Sequence, residues 1–471
     1  MANDTIAAIA TAPGKSGVAV VRVSGPDAFA IAAKLTRRPV SPGRISYRKI
    51  FHSPTPTTDS NSFLDDAIVL SFESPHSYTG EDVVEFQCHG GSVTPRRVLE
   101  ACFEAGARLA RRGEFTERAF LNGRMDLSEA EAVIDLIDAK TDAAADDALA
   151  HLGGERKRRY RELYDRAVAL SSELEHSLDV DESDLSDEFV SRLRSSFSIL
   201  HSSLQKAIEL EKRSARLKDG ALVVLAGPPN AGKSSLLNAL LGEARAIVSD
   251  VPGTTRDSIE AWIDLGGMPV RLVDTAGLRG TSDAIESEGV RRAEELIAQA
   301  DIVLLLQGVE DEKGEAESFP LQGEERLKSP ESGGRDSSAP SKVVPILSKA
   351  DLRDSVSGVQ ASVARLRVSA KTGEGLDELR RQLIARLEDL EPRQNCRGLD
   401  LLTSAYNELA PLCGSSDSHS SFLIPHSSFL LDPVIAANAV RNAAETLGKL
   451  IGATYSEDLL DALFSRFCVG K

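Results

Sequence analysis

Residues 221–241 read ALVVLAGPPNAGKSSLLNALL: an apolar run, a glycine-bounded loop, then a second apolar run at helical spacing. No other stretch restricts the fold as tightly. Gly227, Gly232, Lys233 and Ser234 satisfy G-x-x-x-x-G-K-[ST], a pattern that works only with a strand ahead of it and a helix behind it. Backbone N–H groups of such a loop converge on a phosphate, and the helix N-terminus adds its dipole. Lys233 is expected to bridge the β- and γ-phosphates, and the Ser234 hydroxyl to ligate Mg²⁺. Ala231 and Ser235 lie in the same stretch and are read as nucleotide contacts with them.

The runs that follow, "VRLVDTAG", "DIVLLL", "KVVPILSKAD" and "RLRVSAK", are separated by helical stretches, which predicts a mostly parallel sheet with crossover helices. Pro345 would trouble a central ladder, so it belongs near a strand start or edge. Chemistry-bearing residues sit at the ends of these runs. Asp351 in "SKAD" can accept both the ring N–H and the exocyclic amino protons of guanine, a pair that adenine lacks, so it selects GTP. Lys349 shares its loop, and Ser369, Ala370 and Lys371 supply a second base loop. In "DTAG" (Asp274, Thr275, Ala276, Gly277) the aspartate would hold Mg²⁺ through water and the glycine N–H would approach the γ-phosphate. Thr255 in "PGTTRD" is a switch hydroxyl that reaches Mg²⁺ only while the γ-phosphate is present. Leu278 stands where many GTPases place a water-orienting Gln. Glu286, in the flexible-looking "GTSDAIESEG", is the carboxylate within range, either as the water-orienting group or as a surface residue opening a helix.

Outside this core the texture changes. Residues 1–120 mix β-branched runs with turns, and "GVAVVRVSG" and "DDAIVLSFE" read as strands. From 121 to 216 the pattern is helical, with Ser128 and Glu131 as a capping box and an acidic connection at 179–188. Helical patterning returns after 375, with Pro433 opening one helix and Ser456 capping the last. The predicted architecture is α/β plus all-α. An N-terminal α/β domain (1–120) precedes a discontinuous helical domain (121–216 and 379–471), into which a P-loop GTPase domain (217–378) is inserted. Residues 310–342 and 415–430 read as insertions, the first disordered and the second a loop.

Composition narrows the function. A net charge of −17 argues against a whole-surface nucleic-acid binder. It leaves room for local patches at Arg108, Arg111 and Arg112 or in the 156–161 run, which reads equally as a solvated helix face. Five cysteines without a CxxC pair fit a reducing compartment and no cysteine-rich zinc site. There is no run of eighteen apolar residues and no signal-peptide pattern at the start, so the cytoplasm is expected and no membrane partner. The ending "FCVGK" fits no prenylation motif, because Gly470 and Lys471 follow the cysteine.

Together, these GTPase motifs, the helical flanks and the terminal C-[ILV]-G-K resemble the family of tRNA modification GTPases called MnmE or TrmE. "DTIAAIAT", "VVRVSGP", "YTGEDVVEFQCHGG" and "RRGEFTERAFLNGRMDLSEAEAVIDLI" carry the likeness through the N-terminal third. It extends over the whole chain apart from the two insertions. The resemblance implies a tetrahydrofolate derivative bound by the N-terminal domain, which also forms a homodimer. It implies K⁺ bound by Asn230 together with Ser249, Val251 and Thr254, and Glu286 as the water-activating carboxylate. Arg22, Glu85, Arg124 and Lys471 match the folate-pocket positions. Cys468 matches the family's terminal cysteine, in a modification role or a packing one. The implied activity is K⁺-stimulated GTP hydrolysis. With an FAD-dependent MnmG (GidA) partner in a heterotetramer, it serves addition of an aminomethyl or carboxymethylaminomethyl group to C5 of the tRNA wobble uridine. Two positions depart from the pattern: Ser348 replaces the Asn of N-K-x-D, predicting weaker nucleotide binding, and Arg124 replaces a common Lys. The competing readings are a ribosome-assembly GTPase switch and a folate-binding enzyme with a degenerate nucleotide site.

Overall fold

The computed structural model describes residues 4–52, 63–179, 186–243, 246–247, 259–275, 283–308, 342–352, 366–393, 396–412, 433–451, 460 and 463–470, with backbone alone for 243, 246–247, 259, 283–290, 352, 411 and 433. Residues 310–341 of the first expected insertion, all of the second, Ser456 and Leu278 lie outside the described residues, whereas Lys342 already leads into the sheet, its carbonyl accepting the Val303 N–H at 2.9 Å. The chain divides into two compact units, one of residues 1–137, 149–201 and 404–471, the other of residues 138–148 and 202–403.

In the first unit, β1 (Ile6–Ile9), β2 (Val18–Ser24), β3 (Ile45–Phe51), β4 (Phe63–Phe72), β5 (Val83–His89) and β6 (Arg108–Leu109) form a sheet in the order β3-β4-β5-β2-β1-β6. Every pairing is antiparallel except β1 with β6. Period-two alternation explains its two faces. Ala19, Val21 and Val23 of β2 and Phe86 of β5 are buried with Ile31 and Leu35 of α1 (Ala28–Thr36) and Val98 and Cys102 of α2 (Thr94–Glu104). The intervening residues put Arg22 directly opposite Glu85 on the other face.

Helices follow: α3 (Glu114–Leu121), α4 (Leu127–Asp138), α5 (Asp142–Leu152), α6 (Glu155–Leu178) and α7 (Asp187–Asp219). The box that starts α4 is not Ser128 with Glu131. Asp126 Oδ1 accepts from the Glu129 N–H at 2.8 Å while Glu129 Oε2 accepts from the Asp126 N–H at 2.7 Å, two residues earlier than the sequence reading. The helix Pro433–Leu450 opens on its proline as expected and packs along α6, where Arg441 pairs with Glu175 at 2.7 Å.

In the second unit, β7 (Ala221–Ala226), β8 (Ala246–Ile247), β9 (Ile259–Leu265), β10 (Met268–Asp274), β11 (Ile302–Gly308), β12 (Val343–Ser348) and β13 (Leu366–Val368) lie in the order β13-β12-β11-β7-β10-β9-β8. The five strands from β13 to β10 run parallel, and β9 and β8 add antiparallel pairs at one edge. All six residues of β7 are buried, as a central parallel strand requires. Val223 and Leu225 face α8 (Lys233–Glu243) and the helix Leu376–Glu388, whereas Leu222 and Val224 face α9 (Asp283–Gln299). Pro345 pairs with Leu305 of β11, one residue before β13 begins to pair at Ile346, so its missing N–H breaks no inner ladder.

Below the sheet, the stretches that lead into and out of it are fastened together. Arg216 Nη1 donates to Leu390 O at 2.9 Å, and Lys212 pairs with Glu391 at 2.9 Å. Asp301, just before β11, accepts the Leu222 N–H at 2.7 Å and pairs with Arg393 at 2.7 Å.

Candidate functional sites

The phosphate loop spans the turn from β7 into α8. Gly227 has φ of +145°, and a Cβ there would stand 2.3 Å from Leu306 O, so only glycine lets the loop leave β7 this close to β11. Lys233 opens α8 and is buried, and its Nζ donates to Gly227 O at 3.0 Å and Pro228 O at 2.8 Å. The Ser234 hydroxyl donates to Asp274 Oδ2 at 2.5 Å. Asp274 ends β10 and is fully buried, so two hard oxygen donors meet beside the loop. Thr275 is a strut here, donating to Leu225 O at 2.9 Å. Asn230 is exposed with φ of +62°, a conformation that asparagine tolerates. Ala231 is fully buried, Gly232 is half-buried and Ser235 is exposed.

The two base loops converge. Ser369, fully buried, donates from Oγ to Asp351 Oδ1 at 2.7 Å. That hydrogen bond, with smaller help from the charges of Lys371 and Lys349, holds the Asp351 carboxyl below its ordinary range. Lys349 takes φ of +60°, and Ala350–Leu352 is a single 3₁₀ turn that presents the aspartate. Ala370 is half-buried and Lys371 exposed. Ser348, where the family motif has Asn, is not idle: its Oγ lies 2.6 Å from Ala231 O and 3.0 Å from Gln307 O. Glu286 falls in the first turn of α9, so the stretch read as flexible is helical from Asp283, while its side chain lies outside the described residues. Ser249, Val251, Thr254, Thr255, Ala276, Gly277 and Lys471 also lie outside them.

A second cluster forms on the first unit's sheet. Arg22 Nε donates to Glu85 Oε1 at 2.8 Å, and the Arg22 guanidinium lies 5.1 Å from the Tyr78 ring centroid and 5.5 Å from that of Phe115. Arg124 reaches the same loop, donating from Nε to Ser77 O at 3.1 Å. Tyr78 and Phe115 were missed in the sequence reading. Neither residue carries a local motif, and only tertiary folding sets the tyrosine against a strand arginine. The carboxyl-terminal tail docks nearby. Val469 forms an antiparallel bridge with Arg112, whose Nε donates to Phe467 O at 2.8 Å. Gly470 has φ of +103°, and a Cβ on it would stand 2.2 Å from Ile9 O. Ile9 adjoins Ala8, which pairs with Arg22, so the tail lies two strands from the Arg22–Glu85 pair. Cys468 is exposed.

Both basic stretches find acidic partners within the chain, several of them at the surface. Lys157 pairs with Asp126 at 3.2 Å, Arg159 with Glu155 at 3.4 Å and Arg161 with Asp165 at 3.1 Å. Arg156 is buried, 4.0 Å from Glu131. Arg108 is bound by Asp4 and Glu114, and Arg111 by Glu117 at 2.8 Å. The 156–161 run is a helix face laced with ion pairs, on which Lys157 and Arg161 stay more than half exposed. Among the described residues, no helix is long and apolar enough to cross a membrane.

Two family models match this chain: the N-terminus of GTP-binding protein TrmE over residues 5–124, and the MnmE helical domain over residues 127–468. The chain belongs to the MnmE family. The tRNA modification GTPase MnmE of Symbiobacterium thermophilum is 40% identical over 486 aligned positions, and that of Bordetella petrii 41% over 480, each alignment covering 100% of both chains. Among solved structures, the G domain of the T. maritima FeoB iron transporter covers 35% of this chain and 98% of its own at 26% identity, with a TM-score of 0.25.

Proposed function

We propose that this chain hydrolyses GTP in the service of tRNA modification. The observation that carries the reading is the Ser234–Asp274 contact at the phosphate loop, in a chain that aligns end to end with tRNA modification GTPases. Lys233 and the loop N–H groups bind the β- and γ-phosphates, Asp351 reads guanine and Ser369 orients it. Ser234 and Asp274, with Thr255, fit Mg²⁺, which when bound supplies positive charge at the phosphate oxygens. Thr275, Ala276 and Gly277 are assigned to the nucleotide from the DTAG motif, with the Gly277 N–H toward the γ-phosphate. Glu286 orients the attacking water, the role that Leu278 cannot take.

The finer reading follows the family likeness. Asn230, with Ser249, Val251 and Thr254, holds K⁺, so hydrolysis should run at least about tenfold faster in K⁺ than in Na⁺, given what one well-placed charge contributes. Equal rates would remove the cation from the mechanism. The Arg22–Glu85–Arg124 cluster with Tyr78 suits a flat, amide-bearing ring with an anionic tail. It fits a tetrahydrofolate derivative, which would supply the one-carbon unit, while Lys471 meets the tail. On this reading residues 1–120 serve folate and dimerisation, 217–378 bind GTP, and 121–216 with 379–471 form the helical body. The homodimer works in the cytoplasm with an FAD-dependent MnmG-type partner, in a heterotetramer, on C5 of the wobble uridine.

Nucleoside mass spectrometry of tRNA from cells lacking the gene tests this reading. Wild type should restore the modified wobble uridine and Cys468→Ser should not. If both restore it, Cys468 is dispensable and the tail is structural. If loss of the gene leaves the nucleoside unchanged, the modification reading fails and an assembly switch replaces it.

A further inference from the structure

We infer that Ser348 is a positioning residue: its single hydroxyl proton ties the guanine loop to the phosphate loop and sets how long a guanine nucleotide stays bound. This rests on the reading of the second unit as a GTP site. Ser348 is the last residue of β12 and only 6% exposed. Its Oγ contacts two backbone carbonyls, Ala231 O at 2.6 Å and Gln307 O at 3.0 Å. Carbonyls only accept, so the hydroxyl must donate, and it has one proton. The shorter contact takes it, which directs the bond to the phosphate loop rather than to β11.

The two loops lie side by side at this point. Ala231 is fully buried, and a Cβ on Gly232 would meet Ser348 Cβ and Oγ at 3.9 Å. On the other side of Ser348, Lys349 turns through a left-handed conformation straight into the turn that carries Asp351. Two serines therefore bracket the base site. Ser369 sets the direction of the Asp351 carboxylate, and Ser348 sets the distance between its loop and the phosphate loop. The first governs which base is accepted and the second governs retention.

An asparagine amide carries two N–H groups and can serve both carbonyls, whereas serine serves one at a time. Weaker retention therefore follows from the missing second donor, not from the absence of a tether. Removing the hydroxyl would leave Ala231 O, in a buried setting, without its donor.

The test is stopped-flow release of a fluorescent GDP from the full-length protein. Ser348→Ala should release it about five to ten times faster than wild type, the effect of losing one buried hydrogen bond. Ser348→Thr, which keeps the hydroxyl, should stay within about twofold. The preference for GDP over IDP, which lacks the exocyclic amine, should be the same in all three, because Asp351 and Ser369 are untouched. The proposal is overturned if Ser348→Ala releases at the wild-type rate, or if Ser348→Thr is as fast as Ser348→Ala. It also fails if base preference falls together with retention. A wild-type protein that binds no guanine nucleotide would show instead, before any variant is made, that the GTP reading itself is wrong.

Discussion

Asp351→Asn should lower affinity for GTP by about a hundredfold or more while the nucleotide-free protein keeps its fold. A site built around hydrogen bonds to a ligand discriminates strongly once one partner no longer matches. Asp351 ends in two acceptors, and Ser369 holds one of them at 2.7 Å, which fixes the plane of the carboxylate. An asparagine places an N–H₂ where guanine also presents donors, so two donors face each other. Xanthine carries a carbonyl at that ring position, so XTP should bind Asp351→Asn better than GTP does. Titration calorimetry with GTP and XTP on both proteins measures this. Unchanged GTP affinity would mean that the base is read elsewhere. The carboxyl is held ionised below its ordinary range by Ser369, so guanine selection should persist in mildly acidic buffer.

Glu114→Ala should destabilise the first unit by about 3–5 kcal/mol, the cost of breaking a buried ionic network by removing one partner. Glu114 is 2% exposed and receives Arg108 through both oxygens, at 2.8 and 2.6 Å, as well as Arg118 at 3.0 Å and the Arg111 N–H at 2.8 Å. Arg118, itself buried, also spans Asp4 at 2.8 Å and Glu81 at 3.1 Å. Without Glu114 two guanidiniums lose their shared counter-charge. Burial pushes the Glu114 carboxyl up, but the Arg108, Arg111 and Arg118 hydrogen bonds together outweigh it and bring it down to about 2, from an ordinary 4.5. The stabilisation is therefore complete above pH 4.5 and declines as pH falls toward 2. Wild type should lose stability across that window, whereas Glu114→Ala should show a flatter profile there. Urea melts at stepped pH will show it, and a mutant melt that matches wild type at pH 7 would reduce the network to a surface feature.

The nucleotide site was largely legible because its motifs are local. A phosphate loop needs its glycines, lysine and serine within eight positions, and the flanking apolar runs name the strand and helix. What escaped was long-range. The compensation at Ser348 involves partners 117 and 41 residues away, so position 348 alone suggested only a loss. The α4 box was misplaced because Asp126–Glu129 and Ser128–Glu131 satisfy one spacing rule, and only the start of the helix decides between them. The Arg-rich run was ambiguous for the same reason. Lys157 finds its carboxylate on the segment leading into α4, whereas Arg159 and Arg161 find theirs one helical turn away on α6. Arg22 and Glu85 were named from family likeness, and their direct pairing follows from β2–β5 register, which no single strand reveals.

The fastening below the second sheet has a consequence for how such a chain can be rebuilt. Because Arg216 grips Leu390 O and Asp301 holds both Leu222 and Arg393, the sheet leaves and rejoins the helical run at nearly one point. Polymer statistics then make the excursion inexpensive, since doubling a loop adds only ~0.6 kcal/mol of closure entropy. A segment pinned in this way behaves as a cassette. It should tolerate transplantation between two helices of an unrelated host whose ends lie equally close, provided the host replaces the contact that Thr141 makes with Gly267 O.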